Sequence, residues 1–117
     1  MSAIQIAEND NLLRRIHPDQ IKIENGRQRP ASAAFKNTTN TSDMSVNIEK
    51  LLAEREDLLA KHRDRGYRLA RFQARLAFSL NQTIVHTPND ESLSHGDVVG
   101  EKTTSIGRQF AMGAELI

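Results

Sequence analysis

A chain of 117 residues has room for one modest core and no more. Hydrophobic residues make up 38% and aromatics 4%, with no Trp, so that core has to be assembled from Leu, Ile, Val and Ala around Phe35, Tyr67, Phe72, Phe78 and Phe110. A net charge of +1 excludes a polyanion or a histone-like polycation, and the absence of Cys excludes disulfide scaffolds, thiolate metal sites and cysteine nucleophiles.

Residues 1–11 are polar and aperiodic and read as a disordered arm, leaving residues 12–117 as a single α+β domain. The arm has neither a basic nor an apolar leader region, and no stretch approaches about 18 consecutive apolar residues. A cytoplasmic protein without a membrane partner is expected. Leu12, Leu13 and Ile16 flank Arg14 and Arg15, and His17-Pro18 restricts the backbone into a corner. Ile21 and Ile23 alternate with polar neighbours and run into Asn25-Gly26, which predicts a strand and a tight reversal.

The tract 36–43 has no apolar side chain and reads as a polar loop. Next comes a predicted helix over 47–62, with Asn47 as N-cap, Glu49 in its first turn and an apolar stripe through Ile48, Leu51, Leu52, Leu58 and Leu59. Arg55 and His62 fall on that stripe, and a guanidinium there has to reach solvent or meet an acid. Beyond Gly66, Leu69, Phe72, Leu76 and Leu80 recur at spacings of three and four, which predicts a second helix over 68–81, although its first residues also suit a strand. Residues 83–86 and 95–99 read as strands joined by a Pro- and Asn-containing loop. A last helix is expected over 104–117, with Thr104 or Ser105 as cap and Ile106, Phe110, Gly113 and Ile117 in one arc. The expected architecture is therefore a single small domain with about three helices packed on a short sheet.

Three constellations carry chemistry. Between residues 61 and 75, Lys61, Arg63, Arg65, Arg68, Arg71 and Arg75 are opposed only by Asp64. On a helix Arg68, Arg71 and Arg75 would share one strip and grip a single anionic surface, or else simply be a solvated face. Gly100 and the hydroxyl-rich start of the last helix, with Lys102 and Arg108, offer an anion site at a helix N-terminus. It is no P-loop, because Glu101 separates Gly100 from Lys102. His86 and His95 flank the 87–94 loop and would form a proton-transfer pair if their strands bring them together, with Asp90, Asp97 or Ser94 as orienters. No histidine shows metal-ligand spacing, and no cofactor motif is present.

Arg14-Arg15-Ile16-His17-Pro18, Pro30-Ala31-Ser32-Ala33-Ala34-Phe35 and Met44-Ser45-Val46 resemble a group of short uncharacterised bacterial proteins. The likeness covers the N-terminal third, is interrupted by the 36–43 tract, implies a compact bacterial domain and transfers no site.

These observations lead first to a non-enzymatic binding or regulatory module. It would engage an anionic partner, nucleic acid or an acidic protein surface, through Arg68, Arg71 and Arg75 with Lys102 and Arg108. A small hydrolase or nuclease using His86 and His95 is the alternative from a different class. A third is an interaction subunit, homo-oligomeric or within a larger complex, that covers the apolar stripe between Ile48 and Leu59.

Overall fold

A computed structural model describes residues 5–38, 40–52, 64–88 and 93–117. The chain forms one mixed domain dominated by sheet. Its central layer holds β1 (Asn11–Ile16), β4 (Asp43–Ile48), β5 (Arg68–Gln73), β6 (Thr83–His86), β7 (His95–Val99) and β8 (Glu115–Leu116), ordered β6-β7-β4-β1-β5-β8. Every neighbouring pair is antiparallel. A separate hairpin of β2 (Ile21–Glu24) and β3 (Arg27–Pro30) turns at Asn25 and Gly26, whose φ values of 52° and 76° give the left-handed pair that a two-residue reversal requires.

Two helices rather than three accompany the sheet among the described residues: α1 (Ala74–Ser79) and α2 (Thr104–Gly113). The helix expected over 47–62 is corrected at its start, since Asn47 and Ile48 close β4 and a 3-10 turn follows over Glu49–Leu51. Leu58, Leu59, Arg55 and His62 lie outside the described residues. The helix expected over 68–81 is also corrected. Its first six residues are β5, in unbroken register with β1 from Asn11↔Gln73 to Ile16↔Arg68, and only then does the chain coil. The last helix stops at Gly113 and is capped by Thr103, whose hydroxyl accepts from the Ile106 amide at 3.2 Å, instead of by Thr104 or Ser105.

Alternation along the strands separates two sheet faces. Leu12 and Ile16 of β1, Met44, Val46 and Ile48 of β4, Ala70 and Phe72 of β5 and Val98 of β7 face the core together with Phe35, Ala77, Leu80, Phe110 and Ala111. At its centre Phe35, Phe72 and Phe110 meet pairwise with ring centroids 5.2–6.2 Å apart. Gly107 lets α2 approach this point, because a Cβ there would lie 3.2 Å from the Ser32 carbonyl. Arg14 crosses the same layer as a strut, its Nε donating to the Ala34 carbonyl at 3.1 Å and Nη1 to the Ser45 carbonyl at 2.7 Å. Burial, and secondarily the charge of Arg15, lowers its affinity for its proton.

The second face is mostly polar. Register aligns Glu115, Arg71, Leu13, Asn47 and His95 in one cross-strand row, and Arg71 and Glu115 belong to neighbouring β5 and β8. Leu13 and Leu69 are the fully buried apolar side chains of this face. Residues 8 and 10 join the sheet's end: Asp10 and Glu8 carbonyls accept from the Ala74 and Arg75 amides, and Asp10 pairs with Lys50 at 2.7 Å. No described helix is long and apolar enough to cross a membrane.

Candidate functional site

Strand geometry separates the arginines that helical spacing would align. Arg68 and Arg71 are three residues apart on β5 and therefore point to opposite sheet faces, while Arg75 lies beyond the strand on α1. Arg68 Nη1 donates to Gln28 Oε1 at 2.9 Å, and its Nε reaches the Ile117 carbonyl at 3.5 Å. Arg71 is held by carboxylates of its own molecule. Its Nε and Nη2 donate to the two oxygens of Glu49, each at 3.0 Å, and Nη1 reaches Glu115 at 3.4 Å. The planar fork matched to a carboxylate is the strongest side-chain pairing available here, so Arg71 ties β5 to the turn after β4.

Lys102 is likewise consumed internally. Its ammonium donates to Asn37 Oδ1 at 2.8 Å, the Gly100 carbonyl at 2.8 Å and the Val98 carbonyl at 3.1 Å. Burial pulls its pKa down to about 8; Asp43 opposes the shift and Arg14 adds to it. Three acceptors match the three donors of an ammonium, so the group acts as a bolt between β7 and the 37–38 segment. Arg75 and Arg108 differ from the other three. Both are exposed, and among the described residues neither side chain has an acidic partner. Their helices belong to one layer, and a Cβ at Gly113 of α2 would meet Leu76 of α1. Exposed apolar side chains occur on the same helices, Phe78 on α1 at 37% and Met112 on α2 at 68%.

The two histidines of the β6–β7 hairpin do not form a pair. His86 lies opposite Gly96, which places His95, one residue earlier, on the other face. His86 Nε2 meets the Leu93 carbonyl at 2.7 Å and must carry a proton to do so. His95 Nδ1 lies 2.9 Å from Thr87 Oγ1 and 3.0 Å from the Thr87 carbonyl, and the Thr87 hydroxyl donates to Asp97 Oδ2 at 2.9 Å. Of the orienters named from sequence, Asp97 is connected to His95, but through Thr87; Ser94 instead donates to Asn47 Oδ1 at 2.9 Å, and Asp90 lies outside the described residues. His95 lines a shallow pocket of about 200 Å³ on the second face with Leu13, Arg14, Arg15, Ser45, Val46 and Asn47. Arg15 is anchored beside it, its guanidinium 4.8 Å over the Tyr67 ring.

The roles of Glu49 and Thr87 were not visible in sequence. Glu49 looked like a helix-start acid because the turn that aims it at Arg71 depends on β4 ending at Ile48. Thr87 joins His95 to Asp97 only once the hairpin register is set. Among the described residues no group of three His, Asp or Glu side chains is placed to hold a metal ion. No family model, curated protein or solved structure gives a significant match to the chain.

Proposed function

We propose that this chain is a non-enzymatic binding module for an acidic protein surface, engaged through Arg75 of α1 and Arg108 of α2. The observation that carries the reading is the contrast among the five cations. Arg68, Arg71 and Lys102 direct donors into the fold, whereas Arg75 and Arg108 are exposed and form no ion pair among the described residues. Phe78 and Met112 on the same helices supply apolar contact area alongside the charges. Arg, Met and Phe are enriched at protein interfaces, while nucleic-acid interfaces are more polar and more strongly basic, which favours a protein partner.

The test uses a fluorescently labelled poly-glutamate peptide, with a random-sequence DNA duplex as the competing probe. Poly-glutamate is expected to bind with an affinity that falls as salt is raised, and to lose binding in the Arg75→Glu/Arg108→Glu variant. Lys22→Glu, on the separate hairpin, is expected to retain it. Salt-independent binding, or equal binding by the double variant, overturns the reading. Preference for the duplex assigns the surface to nucleic acid instead.

A further inference from the structure

The hydrogen bonds around His95 determine which of its ring nitrogens carries the proton. A hydroxyl has one hydrogen, and that of Thr87 is directed to Asp97 Oδ2 at 2.9 Å, so Thr87 Oγ1 meets His95 Nδ1 as an acceptor. The Thr87 carbonyl, 3.0 Å from the same nitrogen, is an acceptor by nature. Two acceptors converging on Nδ1 require Nδ1–H. In the neutral ring this leaves Nε2 with its lone pair, and Nε2 has no partner among the described residues. His86 in the partner strand is fixed the other way, with the proton on Nε2.

From this we infer that His95 Nε2 is the acceptor of a ligand-binding site on the polar sheet face, taking the O–H or N–H of a small amine or alcohol. The pocket wall contributes Ser45, exposed and lying between Arg15 and Asp97 on this face, and Asn47, which Ser94 holds in place. The charged groups around the site balance one another. Asp97 and Asp43 flank Ser45 on the β7 side and along β4, and Arg71 is balanced by Glu49 and Glu115. Arg14 and Arg15 both line the pocket, and Arg15 is stacked on Tyr67. With Arg14 in the pocket wall and Lys102 facing Asp43, four cations match these four carboxylates, so the lone pair and not net charge selects the ligand: it needs an O–H or N–H donor, which a carboxylate lacks. Its ligand class is therefore distinct from that proposed for the helical layer, and the two sites stand or fall separately.

Ethanolamine, which carries both donor types, is the probe, and acetate at equal ionic strength is the control. At about pH 8.5, above the usual imidazole range, long-range proton–nitrogen NMR correlations are expected to find His95 protonated on Nδ1 and His86 on Nε2. Ethanolamine is expected to shift the His95 Nε2 resonance saturably, leaving His86 in place, and acetate to shift neither. Thr87→Val, with an unchanged far-UV spectrum, is expected to weaken ethanolamine binding about tenfold, the ratio that one hydrogen bond of ordinary net strength supports. Should Thr87→Val not fold, Asp97→Asn removes the anion at the end of the relay and is read in the same way. A proton found on His95 Nε2, no ethanolamine shift, an equal response from acetate, or full binding by the relay variants overturns the inference.

Discussion

Arg71 illustrates how one side chain can look functional in sequence and be structural in the fold. Its bidentate bond to Glu49 is largely shielded, with 24% of the arginine and 19% of the glutamate side chain exposed. Removing one partner of such a pair leaves the other charge poorly solvated. Arg71→Ala is expected to lower the unfolding free energy by about 2–4 kcal/mol in urea titration, while Arg75→Ala stays within about 0.5 kcal/mol of the parent. Equal effects from the two substitutions would contradict the distinction between a consumed and a free guanidinium. Sequence identified both arginines but not their difference, because what separates them is Glu49, and Glu49 becomes a neighbour only through the fold.

At the scale of elements, the Asn25-Gly26 hairpin and strands β6 and β7 were legible, since their turn residues and β-branched runs act locally. β5 was not. Leu69, Ala70 and Phe72 are buried on both faces of the sheet, so the strand lacks the polar alternation of a half-buried one, and Leu69, Phe72, Leu76 and Leu80 imitate a helical stripe that continues into α1. Pairing with β1 decides the matter. The join between β7 and α2 depends on Gly100, whose φ is 147° and where a Cβ would meet Gln82 Oε1 at 2.6 Å. That amide cannot swing away freely, because its Nε2 donates to the Leu80 and Glu101 carbonyls at 3.1 and 3.0 Å. Gly100→Ala is expected to cost about 1–3 kcal/mol, measured by urea denaturation. Gly113→Ala meets only the methyl end of Leu76 and is expected to cost less.

For the whole molecule, the Lys102 bolt and the N-terminal ion pair each make stability rise with pH, at opposite ends of the pH scale. Lys102 titrates at about 8 in the fold and at 10.5 as an ordinary lysine, so its burial penalty is present in full below pH 8. Between those values the unfolded chain binds more protons, and the penalty is relieved as pH rises. Asp10 is held below its ordinary 3.8, chiefly by its hydrogen bond from Lys50, so its contribution is present above that pH and lost as acid carries the solution through the lower, folded value. Denaturant titrations across pH are expected to show Lys102→Met flattening the alkaline rise without altering the acid limb. The reverse pattern would assign the slopes to other groups. This layer of behaviour was not legible in the sequence, where Lys102 read as an anion-binding cation at a helix start; its three acceptors come from residues 37, 98 and 100.

The strand order sets a timetable for assembly. β1 is synthesised before both of the strands it lies between, β4 and β5. A nascent chain therefore exposes Leu12 and Ile16 until residues 68–73 have been synthesised, and the central ladder forms only after much of the chain exists. Shielding of that first strand during translation is a requirement written into the topology itself.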